Sequence, residues 1–173
     1  MKTISQLIIT MLICLFSIQA WAQSGKLFNT DNQLSSNLAT QVFQDKSGFI
    51  WIATRNGLNT YDGYHINVIK KDMSNFLGLN SNYINSIAQD EKEHILLGTN
   101  NSLLEFTGSE FLKIPMLDSK GKELTTYVKQ IYPLRNKDVA VATSGYGIML
   151  KKLDAQECHA MKGEVEKLKY IHK

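Results

Sequence analysis

An all-β chain of repeated four-stranded units is predicted by three features of the sequence. The chain resembles itself at a period of about 45 residues: Asn37 onward reads NLATQVFQDKSGFIWIATRNGL, Asn82 onward NYINSIAQDEKEHILLGTNNSL, and Thr126 onward TYVKQIYPLRNKDVAVATSGYGI. Each unit is made of short runs rich in β-branched and aromatic residues, broken by turn signals. Asn56-Gly57 and Asp62-Gly63 in the first unit are hairpin turns, because glycine adopts left-handed backbone without steric cost. A period of this size belongs to propeller blades or helical solenoids, and the strand-like runs select the blade. The expected architecture is a partial β-propeller of about three four-stranded antiparallel blades behind a signal peptide.

In the first unit Ala39 to Gln44 is the first strand, Asp45-Lys46-Ser47-Gly48 turns, and Phe49 to Thr54, with Trp51 in its middle, is the second. Leu58 to Tyr61 and His65 to Ile69 follow as strands three and four. In the repeat register Val42, Ile87 and Ile131 coincide, as do Ile52, Leu97 and Val141, and Thr54, Thr99 and Thr143 share a column. The later units lose turn residues: Gly48 is matched by Glu93, Gly57 by Ser102, and Trp51 by Leu96 and then Ala140. Unit two closes its last hairpin with Thr107-Gly108, and unit three inserts a residue at Ser144-Gly145-Tyr146-Gly147. The fourth strand of unit three is placed at Glu164 to Ile171, after Lys162-Gly163, with a short amphipathic helix as the competing reading. The divisions are a signal peptide at 1–22, a lead-in at 23–36, and blades at 37–81, 82–125 and 126–173, the last degenerate.

Composition agrees with a folded domain. Of 173 residues 43% are hydrophobic and 20% charged, with two prolines, which excludes a disordered, collagenous or disulfide-scaffold chain. The net charge of +3 is spread along the sequence, so no nucleic-acid-binding stripe is present. Lys2, the apolar run Leu7 to Phe16 and Ala20-Trp21-Ala22 form a secretory signal cut between Ala22 and Gln23. An uncleaved membrane anchor over Ile4 to Ala22 is the alternative; both export the rest of the chain. Cys14 follows Ile13, not the small residue that a lipoprotein signal uses. Cleavage leaves Cys158 as the sole thiol, hence no internal disulfide, and the scattered His65, His94, His159 and His172 show no zinc-site spacing. No metal or cofactor is expected.

The stretch LSSNLATQVFQDKSGFIWIATRNGLNTYDG, Leu34 to Gly63, resembles the two-component regulator propeller repeat. Its leading LSSN segment, Gln44-Asp45 turn ending at Gly48, Trp51 to Thr54 strand and Asn56-Gly57-Leu58 to Tyr61-Asp62-Gly63 hairpin match that pattern, with Ala53 in place of the usual glycine. The second unit preserves Gln89-Asp90 and Leu97-Gly98-Thr99; the third is recognisable through the register, Thr143 included. The resemblance implies the extracytoplasmic sensor part of a hybrid two-component histidine kinase, periplasmic and anchored through its parent in the inner membrane. It further implies control of carbohydrate-utilisation genes, an oligosaccharide ligand, a homodimeric parent, and the parent's remaining blades and kinase as partners. None of the kinase motifs occurs in these residues, so no enzymatic activity is expected of the chain. The alternatives are a stand-alone secreted or periplasmic binding module, or a truncated fragment of the sensor without function.

No ligand-binding residue is assigned from sequence. Tyr64, Tyr83 and Tyr146 are of the type that stacks on sugar rings, and Asn56, Asn59 and Asn100 of the type that binds hydroxyls. Against this, asparagine serves turns and tyrosine fills blade interfaces. Asp45 and Asp62 are read as turn holders, Trp51 as packing, and Cys158 as a loop or strand residue, not a nucleophile.

Overall fold

In a computed structural model, residues 25, 27–71 and 78–161 are described. The predicted signal peptide, with its cleavage point at Ala22 and Gln23, lies outside them, as does the strand expected at Glu164 to Ile171. The described chain is built of β-strands apart from one 3-10 turn at Thr30–Asn32. Strands β1 (Ala39–Gln44), β2 (Ile50–Thr54), β3 (Gly57–Tyr61) and β4 (Ile66–Ile69) form one antiparallel sheet in sequential order. Strands β5 (Ile84–Gln89), β6 (Ile95–Thr99), β7 (Leu103–Phe106) and β8 (Phe111–Ile114) form the second in the same way.

The third sheet departs from expectation at its outer edge. After β9 (Met116–Leu117) come β10 (Val128–Pro133), β11 (Val139–Thr143), β12 (Ile148–Lys151) and β13 (Cys158–Ala160), in the sheet order β10-β11-β12-β13-β9. The fourth position is therefore held by Cys158–Ala160, ahead of the segment expected there. Two hydrogen bonds explain it. The Ala155 N–H bonds the Lys152 carbonyl at 3.0 Å, reversing the chain directly after β12, and the Cys158 N–H bonds the Pro115 carbonyl at 2.8 Å. The latter places β13 parallel to β9, so the connection from the second sheet adds a fifth strand to the third.

The first strands lie side by side, β1 against β5 and β5 against β10. The apolar side chains between the sheets make two core layers. One holds Trp51, Ala53, Leu58, Ile87, Leu97 and Leu104 between the first two sheets; the other holds Leu96, Leu103, Val128, Ile131, Val141 and Cys158 between the second and third. The second sheet thus buries one face against the first sheet and the other against the third, which is how propeller blades stack. The register column Val42, Ile87, Ile131 records this directly, with exposures of 63%, 1% and 5%. Only Val42 has no described blade in front of it. At the opposite end, Tyr132 and Ile148 are exposed on the far face of the third sheet.

Candidate functional site

The repeat turns come first, because they set the blade ends. Thr54, Thr99 and Thr143 donate their hydroxyls to the carbonyls of Gly57, Ser102 and Gly147 at 2.8, 3.0 and 2.8 Å, closing the same hairpin in each blade. Asp45 accepts the Phe49 N–H at 3.0 Å through Oδ1 and the Trp51 indole N–H at 2.7 Å through Oδ2. Asp62 holds the next turn through the Tyr64 and His65 amides at 2.8 and 2.6 Å, and the Tyr61 hydroxyl donates to the Gly63 carbonyl. Gly48 and Gly63 sit in left-handed backbone at φ 92° and 101°. Leu58 is fully buried, and Gly57 packs on Ser35 of the lead-in. In the second blade Asp90 takes the place of Asp45, and Gly98 lies against Ser86 and Val128. These residues build blades; none of them lines the open depression around Tyr83 and Tyr127.

The opening lies at the start of the inner strands. Each blade carries the same β-bulge there: the pairing register slips between Ala39 and Gln41, between Ile84 and Ser86, and between Val128 and Gln130. The residues inside the slips are Thr40, Asn85 and Lys129. A bulge re-aims its side chain away from the regular pleat. Thr40 accordingly donates its hydroxyl to the Ile84 carbonyl of the next blade at 2.6 Å, and Asn85 its amide to the Val128 carbonyl at 3.0 Å. The equivalent Lys129 has no further described blade to reach.

Around these residues an open depression of about 720 Å³ is lined by Leu38, Thr40, Arg55, Tyr83, Asn85, Tyr127, Lys129 and Ser144, among others. The Arg55 guanidinium stands over the Tyr83 ring at 5.5 Å, and the Tyr83 and Tyr127 rings lie 6.1 Å apart. The Tyr127 hydroxyl donates to Asn85 Oδ1 at 2.7 Å, orienting that amide. Burial first, and the neighbouring Tyr83 second, push the Tyr127 phenol above its ordinary value, so it remains a neutral donor at physiological pH. The lining contains two cations and no carboxylate. Aromatic faces, an amide, hydroxyls and two cations are groups able to hold a polar ring compound bearing negative charge.

Of the residues weighed from sequence for sugar contact, only Tyr83 lines this depression. Tyr64 and Tyr146 are exposed on hairpin turns. Asn59 is buried, bonding Ser35 and the Ile52 carbonyl, and Asn100 accepts the Ser81 hydroxyl at 2.7 Å. Arg55, Asn85, Tyr127 and Lys129 were not singled out. The repeat register carried the signal, since residues 38, 83 and 127, and 40, 85 and 129, fall on shared columns. Cys158 is buried, and desolvation pushes its thiol up to about 12, which disfavours the thiolate.

A fan of sheets, each with four sequential antiparallel strands, packed face to face and joined through their first strands defines the class: these are β-propeller blades. The two component regulator propeller pattern matches residues 33–56 and 78–101, the approach and first two strands of the first two blades. Those two stretches are repeats of the two component regulator propeller type. No curated protein matches it. Among solved structures, the extracellular domain described as the hybrid two component system BT3049 of B. thetaiotaomicron is 19% identical with a TM-score of 0.59, over 75% of this chain and 17% of that one. The extracellular domain of BT4673 from the same organism is 20% identical with a TM-score of 0.59, over 73% and 19%. PorZ of Porphyromonas gingivalis, described as a surface component of the type-IX secretion system, is 14% identical with a TM-score of 0.52, over 72% and 21%. The chain therefore spans about a fifth of the length of these structures, and at such identity they share its fold.

Proposed function

We propose that the chain is part of the ligand-sensing propeller of a two-component system, lying outside the cytoplasm and exported by the 1–22 signal, with an oligosaccharide as its ligand. The observation that carries this reading is the convergence of three equivalent bulges on one depression lined by Tyr83, Tyr127, Arg55 and Lys129. The regulator-propeller repeats and the likeness to extracellular domains described as hybrid two component systems support it. The blades at 37–81, 82–125 and 126–173 stack in the parent on further blades through the faces of Val42 and of Tyr132 and Ile148, because an unpaired propeller face leaves its apolar column in water. A ligand that prefers one arrangement of two such propellers in a homodimer shifts their equilibrium toward it, and the change passes to a kinase across the inner membrane. The propeller itself catalyses nothing in this scheme.

A stand-alone secreted binding module is the second reading. The likeness to PorZ favours it, since that protein is described as a surface component of a secretion system.

The binding test is a calorimetric titration of the full extracytoplasmic region with neutral and uronate-bearing oligosaccharides. Saturable binding that Tyr83→Ala or Arg55→Ala weakens by about tenfold, roughly 1.4 kcal/mol, supports the site. Binding that both variants leave unchanged places the ligand elsewhere.

A further inference from the structure

The geometry points to a divalent-cation site in the second blade, and we propose that Asp90, His94 and Glu105 ligate a borderline transition-metal ion such as zinc there. The argument begins with a substitution inside the repeat. In the first blade Asp45 spends one oxygen on the turn and the other on the Trp51 indole N–H. Asp90 repeats the turn contacts, its Oδ1 accepting the Lys92 and His94 amides at 2.9 Å each. The position of Trp51 is filled by Leu96, which offers no donor. Asp90 Oδ2 is left buried with no hydrogen-bond partner, on a side chain only 2% exposed. A buried carboxylate oxygen without a partner is costly and rarely left so.

Two other ligand atoms face it. His94 Nδ1 lies 3.7 Å from Asp90 Oδ2 and 3.3 Å from Glu105 Oε1. Glu105 comes from β7, directly across the ladder from Leu96, so the residue that removed the indole also opened the space into which Glu105 projects. The three atoms lie within 4.8 Å of one another. Around a tetrahedral zinc at about 2.0–2.1 Å, ligand atoms stand roughly 3.3–3.5 Å apart, close to the two measured separations. Two carboxylate oxygens and an imidazole nitrogen form a donor set that suits zinc and its neighbours in the first transition row. His94 is 31% exposed, and water would be the fourth ligand of a tetrahedral ion.

Lys151 of the third blade opposes the ion. Its Nζ lies 3.5 Å from Glu105 Oε1, so with neutral His94 the two carboxylates retain one uncompensated negative charge for a cation to offset. Lys92 and Asp154 pair nearby at 3.0 Å, joining the same two blades.

The test is calorimetric titration of chelator-treated full chain with zinc alone, with cobalt(II) absorption as the reporter of geometry. One equivalent of zinc is expected, with a tetrahedral cobalt band. Asp90→Asn keeps the Oδ1 acceptor that the turn needs, and with His94→Gln it should weaken zinc binding by about tenfold or more. His65→Gln and His159→Gln, on exposed histidines that pair with Asp62 and Glu157, should leave it unchanged. Absence of stoichiometric zinc uptake overturns the proposal, as does uptake that survives in Asp90→Asn and falls in the His65 or His159 variants.

Discussion

Phe106 and Lys151 hold the same place in successive blades, paired across the ladder with Ile95 and Val139, yet they join their blades by opposite means. Phe106 meets Trp51 of the first blade edge-on, with ring centroids 5.8 Å apart. Lys151 meets Glu105 of the second blade as a buried ion pair at 3.5 Å. One repeat scaffold accepts either joint because the blades stack through equivalent positions, and each position sees only the facing blade.

The aromatic joint is expected to dominate the stability of the first blade. Trp51→Phe keeps most of the apolar contact but leaves Asp45 Oδ2 without its donor, at a cost of about 1–3 kcal/mol. Trp51→Ala also opens a cavity, about 3–5 kcal/mol in all. Urea unfolding of the two variants checks both values, and a negligible loss in Trp51→Phe contradicts the role given to the Asp45 bond.

Left-handed backbone recurs at one turn position in every blade: Gly48 at φ 92°, Glu93 at 67° and Lys137 at 73°. Only the first is glycine. Glu93→Gly and Lys137→Gly remove a side chain from a strained position, and after the entropy of a freer unfolded chain each is expected to stabilise by roughly 0.5 kcal/mol. Thermal melts of the single and double variants measure this; destabilisation by either counts against it.

Gly98 is required by its neighbours. A Cβ there stands 2.4 Å from Ser86 Oγ and 2.6 Å from Val128 Cγ1 of the next blade. Gly98→Ala is expected to destabilise by about 1–3 kcal/mol, although Ala53 and Ala142 occupy the equivalent positions in the other blades. Equilibrium unfolding decides it, and a neutral substitution rejects the close approach.

Acid weakens two turns. The His65 and Tyr64 amides hold Asp62, and the Lys122 and Lys120 amides hold Asp118, below the ordinary carboxylate value of 3.8. The folded chain then binds fewer protons than the unfolded one as pH falls through this range. The contribution of these turns is complete above the unfolded value and is lost as pH drops through it toward the folded one. The urea midpoint should therefore hold steady from about pH 7 to 5 and fall below about pH 4. The double variant Asp62→Asn, Asp118→Asn should flatten that fall, and an unchanged slope would show that other groups cause it.

Much of the fold was legible because the repeat carries it. The threonine column aligned the three units, and in the structure each threonine closes a hairpin, while Asp45 and Asp62 accept backbone amides within their turns. The outer edge of the third blade was not legible, since Cys158–Ala160 is recruited by the Pro115 carbonyl, a long-range contact without local signature. The site was hidden for a related reason. Arg55 and Lys129 look like ordinary surface cations in sequence, and only the bulges in register bring them to the same rim as Tyr83 and Tyr127. Asp90, His94 and Glu105 escape spacing rules because the third member arrives across a strand pair.

The most direct test of the sensor reading is hydrogen exchange of the full extracytoplasmic region with and without the oligosaccharide that binds it best. Protection is predicted at the starts of the three inner strands, around residues 38–40, 83–85 and 127–129, with little change at the exposed turn of Tyr64. Protection confined to other segments, or none at saturating ligand, would contradict the assignment of this depression as the sensing site.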